Sequence, residues 1–370
     1  METSHKVKIE ISPKSVFIVL AMVIGLAAAW ELRIVFFMFF IAYIINAAFR
    51  PYVDKLEKWR IPRVLSTVVI YLLVLGVIGI FLATIFTEAG KQLTNLISQL
   101  PNIVYSVLTN LSVNLPSQFR FLDANVVKEN LKEIVNSLLK LDFSVFTTGV
   151  NSALGIVSAA ASLSIGFGMI LVLSIYLLVR KEDVSHKALE IFPKDTRIKY
   201  TKLMDKIEDQ LGKWLRAQVL LMSIAAFLVW FGLSLPVLFA SNYTMHNYAL
   251  PIAMLVFLIE LVPGTGLAVG GILSTLIALA SGNLFMVIYT PLLFIGIQQL
   301  EGMLIIPKIL NKAIGLDPVI TILSVVAGYI LFQVLGAILI VPILAVIQIV
   351  IASKAEEIKG SLKNTHSEAS

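Results

Sequence analysis

The chain reads as an all-α, polytopic helical membrane protein, with broken or re-entrant helices and an extracytoplasmic helical insertion. Three observations predict it. Hydrophobic residues make up 58% of the 370 positions and charged residues 14%, and the mean hydropathy is +0.92, far above that of a soluble domain. Uncharged runs occupy residues 15–30, 34–49, 64–87, 143–179, 217–259, 261–300 and 318–353, and most reach the roughly 20 residues a helix needs to cross a bilayer. These runs are apolar on all sides, where a transmembrane barrel would alternate in polarity over segments of about ten residues. Helices close their own backbone hydrogen bonds and are therefore the spanning element.

In chain order, Lys6, Lys8 and Lys14 precede the first run, and "WELR" at 30–33 predicts a tight hairpin to the second. No small-residue cleavage site follows the first run, so it is read as a retained crossing. Residues 50–63 carry Arg50, Lys55, Lys58, Arg60 and Arg63 against Asp54 and Glu57, a basic excess that places them in the cytoplasm. A third crossing, 64–87, completes an N-terminal block at 1–87 and leads outward.

Residues 88–142 form a charge-balanced interval in which Leu93, Leu96, Ile97 and Leu100, then Val127, Leu131, Ile134, Val135 and Leu138, recur at helical spacing. An extracytoplasmic insertion of amphipathic helices follows, packing on itself or on another subunit of a homo-oligomer. Within 143–179, the series Gly155, Ser158, Ala159, Ser162 and Gly166 suits close helix packing in lipid. Residues 180–216, with ten basic and seven acidic side chains, form a cytoplasmic helical segment.

The C-terminal core, 217–353, starts with a crossing near 217–240 and a polar loop. Two short pieces then follow at 248–262 and 267–280. Each covers only about 20–23 Å at helical rise, less than the hydrocarbon thickness, so they are expected to be broken or re-entrant helices meeting at "VPGTG", residues 262–266. A further crossing lies near 284–306. Asp317-Pro318 reads as the cap and first residue of a closing run that is too long for one crossing, which Gly336 or Pro342 divides into a hairpin. The tail, 354–370, carries Lys354, Lys359 and Lys363, and both termini are expected in the cytoplasm, with the chain in the cell membrane.

Chemistry concentrates in the core. From Ala217 to Leu300 the one formally charged residue is Glu260. An ionised carboxylate at membrane depth costs about 3 kcal/mol, so Glu260 is a candidate coupling group that is protonated, paired or in cavity water. Pro263 has no N–H for the carbonyl of Ile259, and with Gly264 and Gly266 it marks the break. Gln298, Gln299 and Glu301 lie along the next helix as candidates for a transport path. The alternative is that these polar groups only join helices.

Other functions are excluded by what is missing from the sequence. There is no cysteine, hence no disulfide or thiolate site, and the four histidines are scattered, so no metal is expected. The net charge of +6 sits in short loops facing anionic lipid, which points to the bilayer and not to nucleic acid. "GTGLAVG" at 264–270 has no following lysine, and no G-x-x-x-x-G-K-[ST] occurs, so neither ATP nor another nucleotide cofactor is expected. Hydrolase motifs are missing too, so the chain is not expected to be an enzyme.

"GKWLRAQ" at 212–218, the break at Pro263 and Gly266, "QQLEGMLIIPKILNKAIGLDP" at 298–318 and "GYILFQVLGAILIVP" at 328–342 resemble the autoinducer-2 exporter family. Its most specific series is Gln298, Glu301, Pro307, Gly315, Leu316 and Pro318. The family commonly has a second proline after the glycine of the break, where this chain has Leu267. The resemblance implies a secondary transporter of about eight crossings with a helical insertion after the third. It also implies ion-coupled export of a small polar solute, such as the quorum signal, with H⁺ or Na⁺. A Na⁺(Li⁺)/H⁺ antiporter and a non-transporting membrane scaffold are the alternatives.

Overall fold

The computed structural model describes residues 13–84, 105, 129, 164–180, 193–238, 245–281, 283–309 and 318–367. The expected insertion at 88–142, the small-residue series before Gly166 and the Asp317 cap lie outside these residues, apart from Tyr105 and Glu129. Among the described residues every regular element is helical.

Helix α1 (Pro13–Glu31) runs into α2 (Arg33–Lys58). The hairpin expected at 30–33 does not form. Leu32 donates to the Ala28 carbonyl at 2.9 Å and Phe36 to the Leu32 carbonyl at 3.1 Å. The i→i−4 ladder thus continues through a bend at Leu32, and no Gly or Pro interrupts it. Helix α2 ends with Arg60 at φ 67°, whose N–H meets the Glu57 carbonyl at 2.9 Å while Ile61 meets Leu56 at 3.3 Å, the paired bonds of a left-handed helix cap.

Helices α3 (Arg63–Thr84) and α4 (Ser164–Val179) pack beside α2. Tyr71 and Ser174 share a buried hydrogen bond, and Gly166 lets α4 approach Met38.

Helix α5 (Lys194–Ser234) is one 41-residue helix that carries the charged segment straight into the apolar crossing. Its junction with α2 explains the quoted "GKWLRAQ". Pro51 has no N–H for the Ala47 carbonyl, and Arg216 supplies the missing donor, at 3.3 Å to Ala47 and 3.0 Å to Ala48. Gly212 makes this approach possible, since a Cβ there would fall on the Ala47 carbonyl.

After α5 come α6 (His246–Ile259), α7 (Thr265–Ser281), α8 (Leu284–Leu300) and α9 (Pro318–Ser367). Asn283 caps α8 by accepting from Phe285 at 3.0 Å. Helices α6 and α7 form the expected hairpin of short pieces, 14 and 17 residues long. Their tip, 260–264, sits beside Gln218 and Glu301. Their apolar core, with Val229, Val256, Leu267 and Phe294, is shared with α5 and α8.

Helix α9 is two limbs. Phe332 and Gln333 leave helical geometry, Gln333 at φ 55° and ψ −140°, and Gly328 lies against Gly336 so closely that a Cβ on either would strike the other's carbonyl. Residues eight apart in a straight helix are about 12 Å apart, so the chain reverses. The turn is at 332–333, before both of the predicted positions, Gly336 and Pro342, and the part of Gly336 is to let the limbs touch.

Charged segments gather at one end of the bundle. Arg50 pairs with Glu208, Arg63 donates to the Leu178 carbonyl at 2.8 Å, and Lys206 lies 4.0 Å from Glu356. The α6–α7 tip points toward this end. The α9 turn points away from it, with the Phe332 ring edge-to-face with Phe37, 5.0 Å between ring centres. Among the described residues five helices are long and apolar enough to cross a membrane, and shorter apolar helices lie between them.

Candidate functional site

The site begins where α6 stops. Pro263 leaves the Ile259 carbonyl without its helical donor, and two others replace it: the Thr265 hydroxyl at 3.0 Å and the Val262 N–H at 3.1 Å. The freed carbonyl is thus satisfied within the turn. Gly264 adopts φ 80°, open to glycine at little cost, and turns the chain into α7.

Glu260 is completely buried. Its carboxyl folds forward over the start of α7, accepting from the backbone N–H of Gly264 and from that of Leu267 at 3.2 Å, with Gly266 as a third donor. A carboxyl here meets the unsatisfied N–H groups of a helix start and the positive end of its dipole. Gly266 gives it room: a Cβ would lie 2.6 Å from Glu260 Oε2 and 2.6 Å from the Val256 carbonyl. The backbone carbonyl of Glu260 accepts from Gln218 Nε2 at 2.7 Å. Three segments are tied together by this one residue.

Glu301 arrives from α8. The chain widens into a π-turn over Glu301–Ile305, with the Ile306 N–H on the Glu301 carbonyl. Pro307 accounts for the widening, because its ring clashes with the carbonyl four residues back. Glu301 is 3% exposed, and its carboxyl is close enough to that of Glu260 to share a hydrogen bond. A carboxylate only accepts, so two carboxyls share a hydrogen bond only when one of them holds a proton. No Lys, Arg or His acts on either group among the described residues. Two buried oxygens, Gln218 Oε1 and Glu301 Oε1, have no partner, at a cost of about 1–3 kcal/mol each.

Of the candidates read from sequence, Glu260 and Glu301 come together with Pro263, Gly264 and Gly266. Gln298 and Gln299 are exposed. Gln298 lines a groove of about 350 Å³ between α7 and α8, together with Leu267, Gly271, Thr275 and Phe294. Leu267 links groove and acid pair, its N–H on Glu260 and its side chain in the groove wall. Gln218 received no role from the sequence. The signal was there, a glutamine two residues past Arg216, just inside an 84-residue stretch, 217–300, whose one formal charge is Glu260.

A family profile described as AI-2E family transporter matches residues 17–356. The chain belongs to the AI-2E transporter family. The resemblance read from Gln298, Glu301, Pro307, Gly315, Leu316 and Pro318 is thereby confirmed. AI-2E relatives include YueF of Bacillus subtilis (strain 168), by name a transport protein, 25% identical over 85% of this chain and 82% of its own. YtvI of the same organism, also a transport protein by name, is 25% identical over 92% and 94%. PerM of Escherichia coli (strain K12), by name a permease, is 23% identical over 80% and 81%. This AI-2E chain is accordingly a multi-pass membrane protein, and its general function is transport across the membrane; the family it matches is one of transporters, not of enzymes.

Proposed function

We propose that the chain is a secondary active transporter in which the Glu260–Glu301 pair couples an ion to movement of a small polar solute, such as the autoinducer-2 signal, out of the cell. The observation that carries this is the buried pair of adjacent carboxyls, with Glu301 Oε1 and the nearby Gln218 Oε1 unpartnered and no basic neighbour among the described residues. Carboxyl oxygens with no cationic partner among the described residues suit H⁺ and Na⁺. Glu260 is the fixed member, held by backbone N–H groups of α7. Glu301, with Oε1 free and a π-turn beneath it, is the member that exchanges. The groove between α7 and α8, with Gln298 in its wall, is the part of the path open to a solute, and Gln299 stands at its exposed margin. A charged end assigned to the cytoplasm puts 50–63, 180–216 and the tail from 354 inside.

A second reading, Na⁺(Li⁺)/H⁺ antiport, is favoured by the burial of the pair, since Glu260 is fully buried and Glu301 is 3% exposed, which shields both carboxyls from a bulky solute. Proteoliposomes under imposed pH and sodium gradients separate the two. Solute flux that follows the gradient supports the exporter, and sodium–proton exchange without solute supports the antiporter. Neither flux from folded protein would leave the scaffold and remove the pair from transport.

A further inference from the structure

A second cavity, of about 410 Å³, lies at the charged end among α2, α3, α4, α5 and the second limb of α9. Its wall is graded. Along one face of α2, Phe39, Phe40, Tyr43, Asn46 and Arg50 follow one another at helical spacing, passing from apolar to charged over about 16 Å. Helix α4 repeats the order from Leu177 to Arg180.

Three arginines, Arg50, Arg63 and Arg180, line this cavity against one carboxylate, Glu208. Arg50 pairs with Glu208. Arg63 is used on two of its nitrogens: Nε donates to the Leu178 carbonyl, and Nη1 to Asp54 and Glu57, all at 2.8 Å. Its Nη2 is buried without a partner, and so is Glu208 Oε1. Both are ends of side chains, which turn toward a ligand at the cost of a rotamer change. Arg180 is exposed at the end of α4, its guanidinium 5.0 Å from the Tyr176 ring centre.

The cavity therefore holds three guanidinium groups, one unmet donor on Arg63, one unmet acceptor on Glu208 and an aromatic floor. Guanidinium forks match phosphate oxygens, and basic pockets between membrane helices suit lipid headgroups. The unmet acceptor on Glu208 adds a requirement, because phosphate esters bring no donor of their own. We propose that this cavity binds a phospholipid whose headgroup alcohol carries a hydrogen-bond donor, ethanolamine or glycerol. The phosphate lies against the arginines, the donor on Glu208, and the first methylenes over Phe39 and Phe40.

Choline has the charge of ethanolamine and no N–H, so it isolates the donor. The test titrates the purified full chain in detergent with dihexanoyl phosphatidylethanolamine, phosphatidylglycerol and phosphatidylcholine, and with inorganic phosphate alone, following the melting temperature and lipid adducts in native mass spectrometry. The ethanolamine and glycerol lipids are expected to bind saturably, the choline lipid at least tenfold more weakly, and phosphate without a saturable shift. Arg180→Gln, at an exposed helix end, should weaken binding at least tenfold. Val346→Trp, which fills the cavity and keeps its arginines, should abolish it. Equal affinity for the choline lipid, an equal shift with phosphate alone, or wild-type binding by both variants would overturn the proposal.

Discussion

Glu260 does two things at once, and the substitutions that separate them are specific. As the group over the first turn of α7 it accepts through both oxygens. Glu260→Gln turns one acceptor into a donor facing backbone N–H groups, so a loss of about 1–3 kcal/mol of stability is expected alongside any loss of flux. Glu301→Gln touches no such cap and should leave the melting temperature near that of wild type; a drop as large as that of Glu260→Gln would make Glu301 structural. Gly266→Ala places a Cβ against Glu260 Oε2, Val256 O and Glu260 N, and should cost about 1–3 kcal/mol by overpacking, read as a lower melting temperature in detergent. Both carboxyls were legible in the sequence because a charge in apolar sequence needs a reason. Their meeting was not. It depends on a hairpin tip and a π-turn that bring residues 41 apart together, and no local pattern encodes that distance. Gln218 stayed silent for the same reason: an amide acquires a role only when a freed carbonyl stands opposite.

At the scale of elements, the short pieces around "VPGTG" were legible from length alone, and the helices found, Thr265–Ser281 among them, differ from that expectation by a few residues. The first hairpin was not. "WELR" has polar residues but nothing to break a helix, and the backbone ladder continued through it. For the closing run the hairpin was right and its turn misplaced, because Gly336 is required where the limbs touch rather than where they turn. Gly336→Leu should therefore force the limbs of α9 apart. Accelerated limited proteolysis near 332–333 would show it, and unchanged proteolysis would remove the hairpin from the account. Arg60 sits in a left-handed cap that glycine occupies with less strain. Arg60→Gly is expected to raise stability by about 1 kcal/mol, measured by chemical denaturation, and a loss of stability would contradict the cap.

For the whole molecule, α6–α7 and α9 are two hairpins pointing in opposite directions, the short-limbed α6–α7 ending in the acid pair and α9 against α2. Interrupted short segments of this kind accompany substrate sites in transporters. The charged segments meet at one end through Arg50, Arg63 and Lys206, so one orientation serves all of them. A cysteine-free chain makes the side testable: single cysteines at 58, 213 and 354 should resist a membrane-impermeant thiol reagent on intact cells and react in inverted vesicles. Labelling of all three in intact cells would reverse the orientation.

The central claim, that a shared proton in the Glu260–Glu301 pair couples transport, is tested most directly by gradient-driven flux. Wild type and Glu301→Gln would be reconstituted at matched protein content and assayed across a pH series with imposed proton or sodium gradients. The glutamine keeps the volume of the side chain and can still hydrogen-bond to Glu260, but it neither releases a proton nor binds a cation as a carboxylate does. The account predicts that wild-type flux follows the gradient and the pH, and that flux through folded Glu301→Gln follows neither. Gradient-driven flux through Glu301→Gln with the wild-type pH profile would contradict it.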